Sequence, residues 1–227
     1  MNPVPDRLRE RRTHIFSRSY LAYRALWPLI ESEVPAVLRA CTDGGRPPGP
    51  LLVIDVGCGE RPYADLFAEA TYVGLDTGAP GTSPDVVGSA EQLPFRDACA
   101  DLVFSTQVIE HVAHPHHLVE EAFRVLRPKG CLVLTGPFFW PLHEEPHDYY
   151  RFTPYGFRAL LAKAGFSVLR IRADAGAVTQ AAVGVIEVLP RALFFLIPLI
   201  NLVAPWLQAL SRNEKSTLNY LVVATRP

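Results

Sequence analysis

The chain has 227 residues, a formal net charge of −1 and 49% apolar residues, enough for a sizeable core within one domain. Near-neutrality leaves no whole-chain field that would favour nucleic acid. The four cysteines (Cys41, Cys58, Cys99 and Cys131) form no C-x-x-C pair, which argues against a disulfide framework and for a reducing cytosol.

The first twenty residues are polar and Arg-rich, so no signal peptide is expected there. Arginines at 7, 9, 11, 12, 18 and 24 face only Asp6 and Glu10. That local basic character suits either a solvated helix face or an anionic surface. Residues 6–40 have apolar residues at helical spacing, with breaks expected near Pro28 and Pro35. "DGGRPPGP" (43–50) reads as a linker. "LLVIDVG" is an unbroken apolar run typical of a buried strand. Pro62 then suits the first turn of a helix through "YADLFAEA". Strands follow at "TYVGLD" (71–76), "DVV" (85–87) and "DLVFST" (101–106). "HPHHLVEEAFRVLRPKG" predicts an amphipathic helix closed by Pro128 and Gly130, before a strand at "CLVLTGPF". Thr153 is placed to cap a helix that opens at Pro154 and ends at Gly165. The last two strands are "FSVLRIRA" (166–173) and "LNYLVVATR" (218–226).

Strands alternating with helices predict an α/β fold with a largely parallel sheet, whose ligands sit beyond the carboxyl ends of the strands. Each strand end carries a candidate. After the first comes "DVGCGERP", where Gly57 and Gly59 allow a sharp turn and close ligand approach. Asp55 can accept from loop N–H groups or face a cation. Asp76 ends the second strand, 21 residues beyond Asp55, where a carboxylate can accept both hydroxyls of a ribose. "GSAEQLPF" and "TQVIEHV" follow the third and fourth strands. The loop lacks the third glycine of a dinucleotide fingerprint, which argues for a ligand without a pyrophosphate.

With "VGCG", "GLD", "AEQLPF", "EHV" and "RVLRPKG", the sequence resembles the class I S-adenosylmethionine-dependent methyltransferases, type 11 group, over about residues 51–173. The resemblance implies a seven-stranded, mostly parallel Rossmann-like sheet with an antiparallel last strand and helices on both faces. It implies S-adenosyl-L-methionine as cofactor. Asp55, Gly57, Cys58 and Gly59 would face its methionine part, Asp76 the ribose, Ser89, Ala90 and Glu91 the adenine, and Gln107 the methionine end. Ser89 stands where the family often has Asp. Within a single domain 1–227, the expected parts are an N-terminal helical cap (1–42), a cofactor-binding core (51–176), a hydrophobic insertion (177–216) and the last strand (217–227).

Methyl transfer to an alcohol or phenol needs a base, a task that suits histidine. The candidates lie after the fifth strand, in "GPFFWPLHEEPHDYYRFTP" (136–154), where Pro146 predicts a loop. His143 or His147 would be the base, with Asp148 orienting one of them, unless Asp148 simply pairs with Arg151 to fold the loop. No zinc-ligand spacing is present, so no catalytic metal is expected. The expected reaction is O-methylation of a small apolar or lipid-linked acceptor. C- or N-methylation by positioning alone, a non-catalytic cofactor-binding module, and another reaction such as cyclisation on the same scaffold are the alternatives.

Between the last two strands, residues 181–210 are strongly apolar, with 19 uncharged residues from Ala192 to Leu210. Length alone admits a membrane span, but strands that pair in one sheet require both ends of the insertion to return to one side. Pro198 and Pro205 also interrupt a helix. A lid over the acceptor, a homodimer interface and peripheral membrane contact are the readings left open. The expected location is cytoplasmic, with a peripheral position on the inner face of the membrane if the insertion binds lipid.

Overall fold

The computed structural model describes residues 14–42, 49–211 and 215–227. The arginines at 7, 9, 11 and 12 and linker residues 43–48 lie outside the described residues. Seven strands form one sheet: β1 Leu52–Val56, β2 Thr71–Asp76, β3 Val86–Val87, β4 Ala100–Thr106, β5 Leu126–Pro137, β6 Ser167–Ala173 and β7 Asn219–Thr225. Their order is β3-β2-β1-β4-β5-β7-β6. The pairings from β3 to β5 are parallel, and β7 runs antiparallel to both β5 and β6. This is the sheet that the resemblance implies. The order in which strands are added to the sheet reverses between β1 and β4, the switch point where a crevice must open.

Period-two alternation divides the apolar strand residues between two cores. Ile54, Val103, Leu132, Leu134 and Val222 face α2 (Pro115–Val125) and α3 (Pro154–Lys163), which supply Leu118, Val125, Phe157 and Leu161. Val53, Leu102, Phe104, Val133 and Val223 face the other way, against α1 (Tyr20–Thr42). Thr153 caps α3 as its sequence position predicts, its Oγ1 accepting from Gly156 N at 3.0 Å.

Three local expectations are corrected. Residues 14–19 hold two short turns, and α1 then runs without interruption through Pro28 and Pro35. Its buried stripe (Leu26, Leu29, Ile30, Glu33, Val34, Val37, Cys41) recurs every three or four residues, and that packing outweighs two missing backbone donors. The helix expected after Pro62 is only a 3₁₀ turn, Ala64–Phe67, because Tyr63 and Phe67 both turn into the α1 core. β5 begins at Leu126, before Pro128 and Gly130 rather than after them. Its register against β4 jumps from Ala100–Leu126 to Leu102–Cys131, so residues 127–130 bulge out of the ladder.

The expected insertion follows β6 as an antiparallel pair, α4 (Ala177–Val188) and α5 (Ile197–Leu210), joined through the 3₁₀ segment Arg191–Leu196. Val183, Ile186, Ile197 and Ala204 close a third core with Leu21 and Leu218. Two polar residues of this apolar stretch, Asn201 and Gln208, point inward. Gln208 Oε1 accepts from Val178 and Thr179 N at 3.0 and 3.1 Å, which caps α4. Asn201 Nδ2 donates to the carbonyls of Ile15 and Ser17.

Glu33 ties α1 to the sheet edge. It is buried and accepts from Arg170 Nε and Arg172 Nη1, each at 2.6 Å. Burial opposes ionisation, but the two guanidiniums hold its carboxyl below the usual range. Glu33→Ala leaves both arginines without this partner while they keep access to water. It should lower unfolding free energy in urea by about 1–2 kcal/mol, whereas a Glu120→Ala control, at an exposed position, should change little.

Candidate active site

A cleft of about 840 Å³ opens at the carboxyl ends of β1, β2 and β4. Gly57 and Gly59 form one wall in the left-handed region, with φ of 76° and 53°. The Gly57 and Cys58 N–H groups both donate to the Leu75 carbonyl, which pins the turn to the end of β2. A Cβ on Gly57 would lie 2.2 Å from Val108 Cγ2, while one on Gly59 would meet nothing within 4 Å. Gly57 therefore lets two loops meet, and Gly59 leaves open space. Asp76 accepts from Gly59 N at 2.9 Å and from Thr77 N at 2.7 Å. These bonds hold its carboxylate at the edge of the cleft.

Ser89, Ala90, Glu91 and Gln107 also line this cleft. Ser89 Oγ accepts from Glu91 N at 3.1 Å, a local turn. Glu91 accepts from His114 N at 3.0 Å, bracing the start of α2. Gln107, at φ 55°, donates both N and Nε2 to Thr135 Oγ1. All the expected cofactor residues except two thus converge.

Asp55 and Cys58 are the exceptions, since neither lines the cleft. Asp55 is buried beneath the loop and accepts from the Tyr72 hydroxyl. Cys58 turns its sulfur toward Gly74, where the absence of a side chain makes room. Arg61 pairs with Asp85 at 2.7 Å and donates to the Ser83 carbonyl. Asp85 in turn accepts from Gly74 N at 2.9 Å. These groups brace the loop from below and outside.

Residues 138–153 form an irregular loop at the other end of the cleft. His147 lines the cleft and its Nδ1 lies 3.0 Å from the Tyr149 hydroxyl. His143 and Asp148 do not line it. His143 Nδ1 lies 3.2 Å from Asp148 Oδ2, while Arg151 grips both Asp148 oxygens at 2.6 and 2.7 Å. The Arg151 hydrogen bonds hold the Asp148 carboxyl well below the usual carboxylate range. Asp148 thus clamps the loop, and its Oδ2 also accepts from the His143 backbone N at 3.0 Å.

Sequence reasoning left Glu110, His111, Glu144 and Tyr149 unassigned. The last three line the cleft. Glu110 lies beneath, fully buried, and burial pushes its carboxyl up to about 8. Glu110 and His111 belong to the "EHV" that follows the fourth strand. Their partners are some thirty residues further on, at a spacing no local pattern reveals.

Residues 54–134 match the family model described as a methyltransferase domain. This stretch belongs to the methyltransferase domain family. The chain is 40% identical over 106 residues to an uncharacterized methyltransferase of Mycolicibacterium gilvum, a match covering 39% of this chain and 42% of that relative. It is 34% identical over 133 residues to a probable S-adenosylmethionine-dependent methyltransferase of Mycolicibacterium smegmatis, covering 51% and 52%. The chain therefore spans about half or less of the length of these curated relatives. Its fold is similar to that of a SAM-dependent methyltransferase from Archaeoglobus fulgidus, with a TM-score of 0.56 at 15% identity over 87% of this chain and 93% of that one. The methyltransferase domain supplies the glycine wall, Asp76 and Gln107. The loop from 138 and the insertion lie beyond it.

The bracing role of Asp55 has a pH signature. Burial, opposed by the Tyr72 hydrogen bond, raises its carboxyl to about 7. A raised carboxyl favours the fold at low pH and loses that advantage as pH rises through the folded value. The melting-temperature difference between Asp55→Asn and the unmodified protein should grow in favour of the variant from about pH 4 to 7, then level off. At this chain size each kcal/mol corresponds to about 2–4 °C, and a flat difference across that range would refute the account.

Proposed function

We propose that the chain binds S-adenosyl-L-methionine in this cleft and transfers its methyl group to an oxygen of a small apolar or lipid-linked acceptor. The observation that carries the reading is convergence. Gly57, Gly59, Asp76, Ser89–Glu91 and Gln107 come from four strand ends and line one cleft. The open space at Gly59 and the pre-oriented Asp76 carboxylate fit a nucleoside without phosphates. The cofactor supplies a sulfonium-bound electrophilic methyl. The protein's task is then to align an acceptor oxygen and remove its proton. Asp76 would accept the ribose hydroxyls.

His147, which lines the cleft, is better placed as the base than His143. With Nδ1–H donated to the Tyr149 hydroxyl, its Nε2 is the free acceptor. Asp76→Ala should weaken S-adenosylmethionine binding by about tenfold or more in calorimetry, the equivalent of losing one or two hydrogen bonds to a charged group. His147→Ala should keep that affinity. With the acceptor identified by labelled-methyl transfer to cell extracts and mass spectrometry, it should lower kcat by about 10²–10⁴. Unchanged turnover would favour positioning alone, and binding with no product from any extract would favour a non-catalytic module.

A second reading concerns the insertion. Exposed Leu199, Leu202, Val203, Trp206, Leu207 and Leu210 recur at helical spacing along one face of α5, with Phe195 beside them. A continuous apolar stripe with a Trp fits a helix lying in a membrane interface. Both ends of the insertion attach at the carboxyl end of the sheet, the end that holds the cleft. Phe139 and Trp140, from the loop beside the cleft, pack on the insertion core, which supports a lipid-linked acceptor and a peripheral position on the cytoplasmic face of a membrane. The protein should float with liposomes, and a Leu202→Ser, Trp206→Ser, Leu210→Ser triple variant should not. A dimer that fails to float would instead make the stripe a subunit interface.

A further inference from the structure

Beneath the acceptor end of the cleft, Glu110, His111 and His143 each offer a ligand atom, and these atoms lie within 4.8 Å of one another. We propose that they form a site for a divalent transition-metal ion of the zinc class. Four observations carry this.

Glu110 is fully buried, and neither of its carboxylate oxygens has a hydrogen-bond partner among the described residues. Buried carboxylates without partners are costly and rare. His111 Nδ1 lies 2.7 Å from the His147 carbonyl, so Nδ1 carries the proton and Nε2 presents its lone pair. That Nε2 lies 3.8 Å from Glu110 Oε1 and 3.8 Å from Glu144 Oε2. The separation is long for a hydrogen bond but close to the spacing of about 3.4 Å between two ligands of a tetrahedral ion with bonds of about 2.1 Å.

His143 is oriented in the same manner. Its Nδ1 faces Asp148 Oδ2 at 3.2 Å and the Pro141 carbonyl at 3.3 Å, and its ring stands 76° to that of His111, with centroids 4.7 Å apart. A carboxylate or carbonyl on one ring nitrogen, leaving the other free, is the outer shell that metal-binding histidines use. The Arg151 clamp on Asp148 makes that shell rigid. Finally, His111 and Glu144 line the cleft while Glu110 lies below it. Three protein ligands with an open side toward a cleft describe a catalytic rather than a structural ion. A second cluster, Glu91 with His114 and His117, lacks this character. Its carboxylate already braces α2, and both histidines are exposed.

An ion here would bind the acceptor oxygen and lower its pKa, so that His147 removes the proton from a metal-bound alcohol or phenol. That use rests on the proposed methyl transfer, whereas the site itself does not. The test therefore reads metal binding directly. The untagged full chain, stripped with chelator, is titrated with Zn²⁺ by calorimetry and with Co²⁺ by visible absorption. One equivalent should bind, with a Co²⁺ band of low-coordinate N/O ligation. Affinity should fall at least about tenfold in Glu110→Gln and in His143→Ala, and stay unchanged in His117→Ala. Zn²⁺ should raise the Tm of the unmodified protein and not that of Glu110→Gln, whose metal-free Tm reports whether the variant folds. Absence of stoichiometric binding, or binding lost only in His117→Ala, overturns the proposal. S-adenosylmethionine affinity should be the same in Glu110→Gln as in the unmodified protein. If metal binds as described but no methyl is transferred, the methyltransferase reading fails and the metal site stands.

Discussion

The approach of Gly57 to Val108 is the constraint on which the cleft depends. One residue follows β1, the other follows β4, and the two strands are neighbours at the point where the sheet's connections change direction. A side chain at Gly57 would overlap Val108 and would also have to adopt a positive φ. Because the two loops can touch, Asp76 on one side and Gln107 on the other border a single space. The hydrogen bonds from Gly57 and Cys58 to Leu75, and from Gly59 to Asp76, then fix the first wall without help from a ligand.

Much of this was legible because parallel strands buried on both faces are written as unbroken apolar runs. The chemistry of such a fold follows directly after each run. Asp76, Ser89 and Gln107 are in the cleft for that reason. The errors share one cause, which is that a side chain's direction is set by partners distant in sequence. Asp55 has the right position on β1 but points to Tyr72 on the neighbouring strand. Cys58 fills the hollow left by Gly74. α1 passes two prolines because the sheet it covers rewards continuity more than two backbone bonds. Glu110 and His111 were visible only as part of a motif, since His143, Asp148 and Arg151 belong to a loop that folds back from beyond β5.

The insertion shows the same limit in another form. Its composition is apolar nearly throughout, so no polar face could be read from it. In the fold, Asn201 and Gln208 face inward, Asn201 donating to the Ile15 and Ser17 carbonyls and Gln208 accepting from the N–H groups that open α4. The leucines and Trp206 are left outside. Ordinary polarity is reversed on this helix because its inner face serves backbone ends rather than a hydrocarbon core alone.

The antiparallel return of β7 has a consequence for how the protein works with its surroundings. Since β6 runs parallel to β5, the insertion leaves and re-enters the sheet at the mouth end, beside the loop that carries His147. A chain resting on lipid through Trp206 and its neighbours would present its mouth to acceptors diffusing in two dimensions. Its turnover would then follow the surface density of acceptor and the orientation of the docked molecule. The concentration of free acceptor in the bulk would matter little.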